Sequence, residues 1–345
     1  MEQITRINMD TPKNAFQLHG VYAAEKPVLR MKLTRREMIR FFEKLPPTVI
    51  GIEACGGAHH GVRLLGLFGH KVKLIAPQLA KPYVQRGKND VADAEALCEA
   101  MSRPTMRFVP VKSADQQAAP MLVGMRTKRI RKRTQLANTI RGFGAEFRIT
   151  VATRMCRIEL LLERIAADEA TPELARELFA LHGREYRHIL RDIEQVEARL
   201  MEWHRNDDCS QRLAKIPGVG PIGASMLMMK TPDPHMFKSG RNFAAWIGLT
   251  PGNYSTAGKV RLGVITRTGD ELLRSTLVVR ATAIVQHARR SEGRNASPWL
   301  LGLFERKKPN LVALASNDFD RITTRSTANW YLLLRLQCGS RCYHE

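Results

Sequence analysis

Apolar residues come in short runs through the first 75 positions of the chain. Runs at 5–9, 15–20, 28–33, 48–53 and 71–75 have the length of strands, whereas 35–44 and 57–68 space their apolar residues as helices do. Three strands, then helix, strand, helix and strand, predict a mixed α/β sheet whose central strands are buried. At Ser113 the period changes. Ser113-Ala-Asp-Gln116 has the spacing of a capping box, and it opens a helical region extending to about Arg205. Within that region Leu174, Leu178, Leu181, Ile189, Ile193, Val196 and Leu200 repeat at helical spacing. A coiled coil between protomers and an intramolecular hairpin account for this repeat equally well.

The remainder predicts a mostly α-helical C-terminal domain interrupted by two glycine-rich islands. In the first, Ile216-Pro-Gly-Val-Gly-Pro-Ile-Gly223, the glycines 218, 220 and 223 spell GxGxxG, but the preceding 210–215 is helix-like rather than a buried strand. That context excludes a dinucleotide site. Pro-Gly-Val-Gly between two helices has instead the form of a helix-hairpin-helix, in which the turn at Gly218 and Gly220 lets backbone N–H groups approach a DNA phosphate. The second island runs over 242–274. Its Gly252 to Lys259 stretch departs from a phosphate loop, with one residue too many before Gly258-Lys259 and Val260 where Ser or Thr is needed, so ATP binding is not expected. The pattern sets domains at 1–112, 113–205 and 206–315, followed by an atypical tail over 316–345.

Charge then selects a class of partner. The 345 residues carry a formal net charge of +22 and an isoelectric point near 10.2, a field that favours a polyanion, with nucleic acid foremost. Between Pro120 and Ile165 eleven arginines and lysines face three acids, a net +8, so binding should weaken steeply with salt. Arg126, Lys128, Arg129, Arg131, Lys132 and Arg133 are the densest part of that run. No apolar signal segment opens the chain and no uncharged apolar run reaches about 18 residues, so the protein is expected to be cytoplasmic and nucleoid-associated, with no membrane partner. The six cysteines form no CxxC pair, which argues against a zinc ribbon or a disulfide scaffold.

Candidate chemistry gathers on carboxylates. Asp90 and Asp93, three residues apart at the start of an Ala/Leu-rich helical run, share one helix face, and two adjacent carboxylates need a divalent cation or a basic group between them. Lys88 lies just ahead of them. Asp10 and Glu53 fall at the ends of the first and fourth strands, where open α/β sheets place their sites. Four carboxylates so arranged could hold two magnesium ions about 4 Å apart and act on a phosphodiester. Ser255 lies in a loop with Lys259, Arg261 and Arg267, where a hydroxyl could attack a phosphate held by basic groups.

The segments Asn14-Ala-Phe-Gln-Leu-His-Gly20, Gly51-Ile-Glu-Ala-Cys-Gly-Gly-Ala-His-His60 and Ile75-Ala-Pro-Gln-Leu-Ala-Lys-Pro-Tyr-Val-Gln-Arg-Gly-Lys-Asn-Asp-Val-Ala-Asp-Ala-Glu95 resemble the DEDD transposases of the insertion sequence one-ten family, and within it the eleven-eleven subgroup. The resemblance covers about 8–315 and implies an N-terminal ribonuclease H-like domain similar to the RuvC resolvase. It makes Asp10, Glu53, Asp90 and Asp93 the Mg2+-binding tetrad. The 242–274 island resembles the family's C-terminal transposase domain, whose loop carries a nucleophilic serine. Ser255 takes that role, with Thr256 the alternative if the register differs by one, and Ala257 stands where the family usually has glycine.

The resemblance further implies a guide RNA encoded by the element, and a homo-oligomer (dimer or tetramer) that joins one protomer's carboxylates to another's serine. Beyond about Ala315 the sequence leaves the family pattern, as an altered reading frame would make it do. Two other functions fit the same residues: a Mg2+-dependent junction nuclease that uses water, and a non-catalytic nucleic-acid-binding protein descended from a transposase.

Overall fold

The computed structural model describes residues 4–10, 15–22, 27–83, 90–104, 106–215, 219–231, 237, 239–291 and 298–306. The chain divides into two compact units, Met1–Gln117 and Ala118–Glu345.

The first unit is a sheet of six strands covered by helices. Its elements in order are β1 (Arg6–Asp10), β2 (Phe16–Val21), β3 (Pro27–Leu33), α1 (Arg35–Lys44), β4 (Val49–Glu53), α2 (Ala58–Leu67), β5 (Lys71–Ile75), α3 (Pro77–Ala80), α4 (Asp90–Ser102) and β6 (Phe108–Val109). The strand order is β3-β2-β1-β4-β5-β6, with β1, β4 and β5 mutually parallel and β2, β3 and β6 antiparallel to their neighbours. The mixed α/β sheet expected from the sequence is therefore present. The two-residue edge strand β6 is too short to leave a periodic signal.

Alternation along the strands gives the sheet two different faces. Ile7, Met9, Ile50, Ile52 and Leu74 point to one side, where they meet Met38 and Phe42 of α1 and Val62 and Leu65 of α2. His70 ties this side together: its Nδ1 accepts from the Thr48 N–H at 3.2 Å and its Nε2 donates to the Phe42 carbonyl at 2.8 Å. The opposite side is covered by α4, whose Leu97 and Met101 pack with Ile75 and Ala80. Gly51 of β4 makes that cover possible, because a Cβ there would collide with the Met101 sulfur and stand 2.8 Å from the Asn8 Oδ1.

Among its described residues the second unit is helical apart from one hairpin. The region expected to be helical over 113–205 begins at the predicted capping box, with Gln116 N–H donating to Ser113 Oγ at 3.1 Å and Ser113 N–H to Gln116 Oε1 at 3.0 Å. It then resolves into α5 (Ala114–Glu146), α6 (Ile158–Ala167) and α7 (Glu173–Arg205). Ile140, Leu161, Ile165, Phe179, Ile189 and Ile193 fill the core these helices share. The distal half of the α7 repeat is thus consumed within the protomer, as a hairpin requires, whereas Leu174, Leu178 and Leu181 are exposed at 68%, 51% and 53%.

The chain continues through α8 (Asp208–Ala214), α9 (Pro221–Lys230), α10 (Gly240–Trp246), the hairpin β7 (Pro251–Asn253) and β8 (Leu262–Ile265), α11 (Glu271–Arg290) and α12 (Pro298–Arg306). Leu213, Leu227, Phe243, Ile247, Leu273 and Leu277 form the core of this portion. The helix-like reading of the stretch ahead of Gly220 is matched by α8. The tail 316–345 lies outside the described residues. Among those described, no helix is long and apolar enough to cross a membrane.

Candidate active site

The first unit brings Asp10 and Glu53 together. They close the adjacent parallel strands β1 and β4, one position beyond the Met9–Ile52 pair, and alternation puts both on the face that α4 covers. Asp90 and Asp93 occupy the first turn of α4, the element packed across β2, β1 and β4. Their side chains lie outside the described residues, as does Lys88. Among the described residues no group of three or more His, Cys, Asp or Glu is close enough to hold a metal ion.

Under α4 sits a polar pair that the sequence reading passed over. Asn8 and His19 face each other across β1 and β2, exposed by only 0% and 3%, and both Asn8 side-chain polar atoms and the His19 Nδ1 lack hydrogen-bond partners among the described residues. Burial of such groups is costly. Burial also pulls the His19 pKa below its usual value, with the Glu95 carboxylate opposing the shift and the Arg30 charge adding to it. Glu95 itself meets Arg30 at 3.4 Å. Asn and His inside a strand pattern could have been flagged as buried polar candidates, since the period-2 alternation already assigned their face.

The second unit presents Ser255 on the β7–β8 hairpin. Its Oγ accepts from the Arg261 N–H at 3.0 Å, while its own N–H donates to Asn253 Oδ1 at 3.0 Å. Thr256 and Lys259 bracket the hairpin tip, where Ala257 and Gly258 take φ values of 46° and 79°. Two consecutive positive φ values are those of a tight two-residue hairpin turn, which favours glycine at both places. Ser255, Lys259, Arg261 and Arg267 are all exposed. Val260, Leu262 and Val264 leave an apolar row open on the same hairpin, 81%, 60% and 82% exposed.

The base of this loop is fixed far more firmly than its tip. Gly248 (φ 74°) lies so close to the Thr268 backbone that a Cβ would strike its N and O, and Gly269 (φ 76°) is pressed in the same way on the Trp246 carbonyl. From α11, Arg274 Nη1 donates to the carbonyls of Ile247 at 3.0 Å and Thr268 at 2.7 Å. Asp270 caps α11 through Leu273 N–H at 2.8 Å and pairs with Lys230 at 2.5 Å. Burial raises the Asp270 pKa, but the Lys230 and Leu273 hydrogen bonds and the Lys230 charge outweigh it and leave the carboxyl below its ordinary value.

The basic residues of α5 divide into two sets. Arg126 pairs with Glu197 at 2.6 Å and Arg129 with Asp192 at 2.9 Å, so both are engaged with α7. Lys128, Arg131 and Lys132 are exposed, and Arg133 is half-buried. Counting charge along the sequence treated all six alike. The acids that engage two of them come from α7, some 60 to 70 residues away, and left no local signal.

At the first glycine island, Gly220 is the N-cap of α9 and Gly218 lies outside the described residues. Gly223 is packed directly on the Arg280 guanidinium, whose pKa is held down by burial and then by Arg126.

Comparison with known sequences finds two family patterns in the chain. Residues 10–143 match the pattern of the DEDD transposases of IS110, and residues 210–296 match the family described as Transposase IS116/IS110/IS902. The class of protein is thereby a DNA transposase. A putative transposase y4pF/y4sB of Sinorhizobium fredii is 70% identical over 93% of this chain and 84% of its own length. A probable family 20 transposase of Pseudomonas aeruginosa is 43% identical over 97% of this chain and 98% of its own. The transposase for insertion sequence element IS1111A of Coxiella burnetii is 35% identical over 99% and 93%. This chain belongs to the IS110 family of transposases.

Proposed function

We propose that this transposase cuts and rejoins DNA through Ser255, assisted by a metal-binding cluster of Asp10, Glu53, Asp90 and Asp93 on a ribonuclease H-like sheet. The observation that carries the reading is the Ser255 Oγ itself. It is exposed and receives the Arg261 N–H, a donor that stabilises the oxygen as it loses its proton.

The strand order β3-β2-β1-β4-β5, with carboxylates ending β1 and β4 and a helix across the same face, supports the ribonuclease H-like assignment. Asp10 and Glu53 offer hard oxygen donors from neighbouring strand ends, a donor set suited to Mg2+. Asp90 and Asp93 would complete it. Such an ion, when bound, polarises the scissile phosphate and stabilises the oxygen that leaves.

In the proposed step Ser255 Oγ bonds to phosphorus, the bond to the leaving sugar oxygen breaks, the Oγ proton passes to solvent and the leaving oxygen gains one. A sugar hydroxyl of the exchanging strand then attacks the phosphoserine and releases Ser255. Lys259, Arg261 and Arg267, exposed on and beside the hairpin, neutralise the phosphate. Lys128, Arg131, Lys132 and Arg133 on α5, together with Gly218, Gly220 and Lys88, contact the nucleic acid. The net charge of +22 leaves room for a guide RNA beside the DNA. The open Leu174, Leu178 and Leu181 stripe on α7, together with the uncovered Val260, Leu262 and Val264 row, supports a homo-oligomer.

Divalent-cation titration of strand cleavage tests the carboxylate cluster. Glu53→Gln and Asp93→Asn should abolish Mg2+-dependent cleavage while leaving DNA affinity in place. Retained cleavage in both would remove these residues from the site.

A further inference from the structure

The stripe on α5 that does not face α7 opens onto a cleft of about 490 Å³. Lys128, Arg131 and Lys132 line one wall, at spacings of three and four residues that put them on one side of the helix. None has a hydrogen-bond or ion-pair partner among the described residues. The other wall is formed by Lys230 at the end of α9 and by Asp270 and Glu271 at the start of α11. Lys230 and Asp270 neutralise each other at 2.5 Å, so among the described residues lining the cleft the three cations face one uncompensated acid, Glu271.

We propose that this cleft seats the phosphodiester backbone of a nucleic-acid strand, with Lys128, Arg131 and Lys132 as the phosphate ligands and Glu271 limiting the affinity. The inference rests on the nucleic-acid reading above and narrows it, because Arg126 and Arg129 are engaged with α7 and drop out as phosphate ligands. Helical rise supports the arrangement: Arg131 and Lys132 stand about 4.5 and about 6 Å along the axis from Lys128, about one turn away, so the three cations can meet one strand together. The far wall belongs to α11, the helix whose Arg274 holds the base of the Ser255 loop. A strand in the cleft is therefore anchored against the helix whose Arg274 holds the base of the loop that bears Ser255.

Fluorescence anisotropy over a salt series, with a labelled DNA duplex and a labelled single-stranded RNA, tests the proposal on the full-length protein. The triple variant Lys128→Gln, Arg131→Gln, Lys132→Gln should lower the slope of log K against log salt by about 3 for duplex DNA or about 2 for the single strand. Its thermal stability should be unchanged, since all three side chains are exposed. A charge-matched control on α1, Arg36→Gln, Arg40→Gln, Lys44→Gln, should change the slope by less than about 1. Glu271→Gln should tighten binding a few-fold, roughly the effect of removing one nearby like-signed charge from the phosphate. The probe that loses the larger slope identifies which strand the cleft holds. A triple variant indistinguishable from the α1 control, or a Glu271→Gln variant that binds no tighter, overturns the proposal. Wild-type protein that binds neither probe in a salt-dependent way would instead defeat the underlying nucleic-acid reading.

Discussion

Arg274 on α11 donates to the carbonyl oxygen of Thr268, 2.7 Å away, and the same nitrogen reaches the Ile247 carbonyl at 3.0 Å. One side chain thus closes both ends of the segment that carries Ser255. Hydrogen bonds from a charged donor contribute about 1.5–3 kcal/mol each. Arg274→Gln should therefore slow strand cleavage by about ten-fold or more, while DNA affinity stays within about two-fold, as expected of a residue that positions the loop without touching the substrate. Equal losses in cleavage and binding would contradict this role.

The tip of the same hairpin carries strain that the sequence already hinted at. Ala257 has a φ of 46°, in the left-handed region that costs a non-glycine residue about 1–2 kcal/mol. Ala257→Gly should relieve part of this cost and slow hydrogen exchange at the Thr256 and Lys259 amides, which pair with each other's carbonyls at 3.3 and 2.9 Å. Exchange that speeds up or stays unchanged would show that the turn is not limited by Ala257.

Acid should loosen the first unit. Burial holds both His19 and His59 below the ordinary value of 6.5, reinforced at His59 by Lys112 and Arg63. His59 Nδ1 also accepts the Lys112 N–H at 3.1 Å, a bond that protonation removes. Because each folded-state pKa lies under the unfolded one, the unfolded chain takes up more protons on acidification. Their stabilisation is complete above pH 6.5 and is lost as pH falls through the folded-state values. Melting temperatures in buffers of matched ionic strength should decline below that pH, and the decline should be shallower in His19→Gln and His59→Gln. Variants as acid-sensitive as the wild type would remove these histidines as its cause.

Much of the first unit was legible because its strands are short apolar runs and its turns are polar. β1, β4 and β5 begin and end within a residue or so of the positions the pattern gave, and this fixed the ends at which Asp10 and Glu53 stand. The α7 repeat was only half decided by periodicity. Ile189 and Ile193 are buried while Leu174 and Leu178 are exposed, yet all four satisfy the same helical spacing, and only the position of α5 and α6 separates them. The pairings of Arg126 and Arg129 with α7, and the reach of Arg274 to Ile247, were invisible for the same reason. Each joins residues that are distant in the chain, and a side chain's partner is set by packing rather than by its neighbours in sequence.

The central claim is that Ser255 is the nucleophile, and denaturing gels of reactions with end-labelled DNA address it most directly. Wild-type protein with Mg2+ should yield a covalent protein–DNA adduct that survives denaturation, and Ser255→Ala should yield none while still binding DNA. Adduct formed by Ser255→Ala but lost in Thr256→Ala would move the nucleophile by one residue. Cleavage by Ser255→Ala at the wild-type rate, with no adduct from either protein, would contradict the account and leave water as the attacking group.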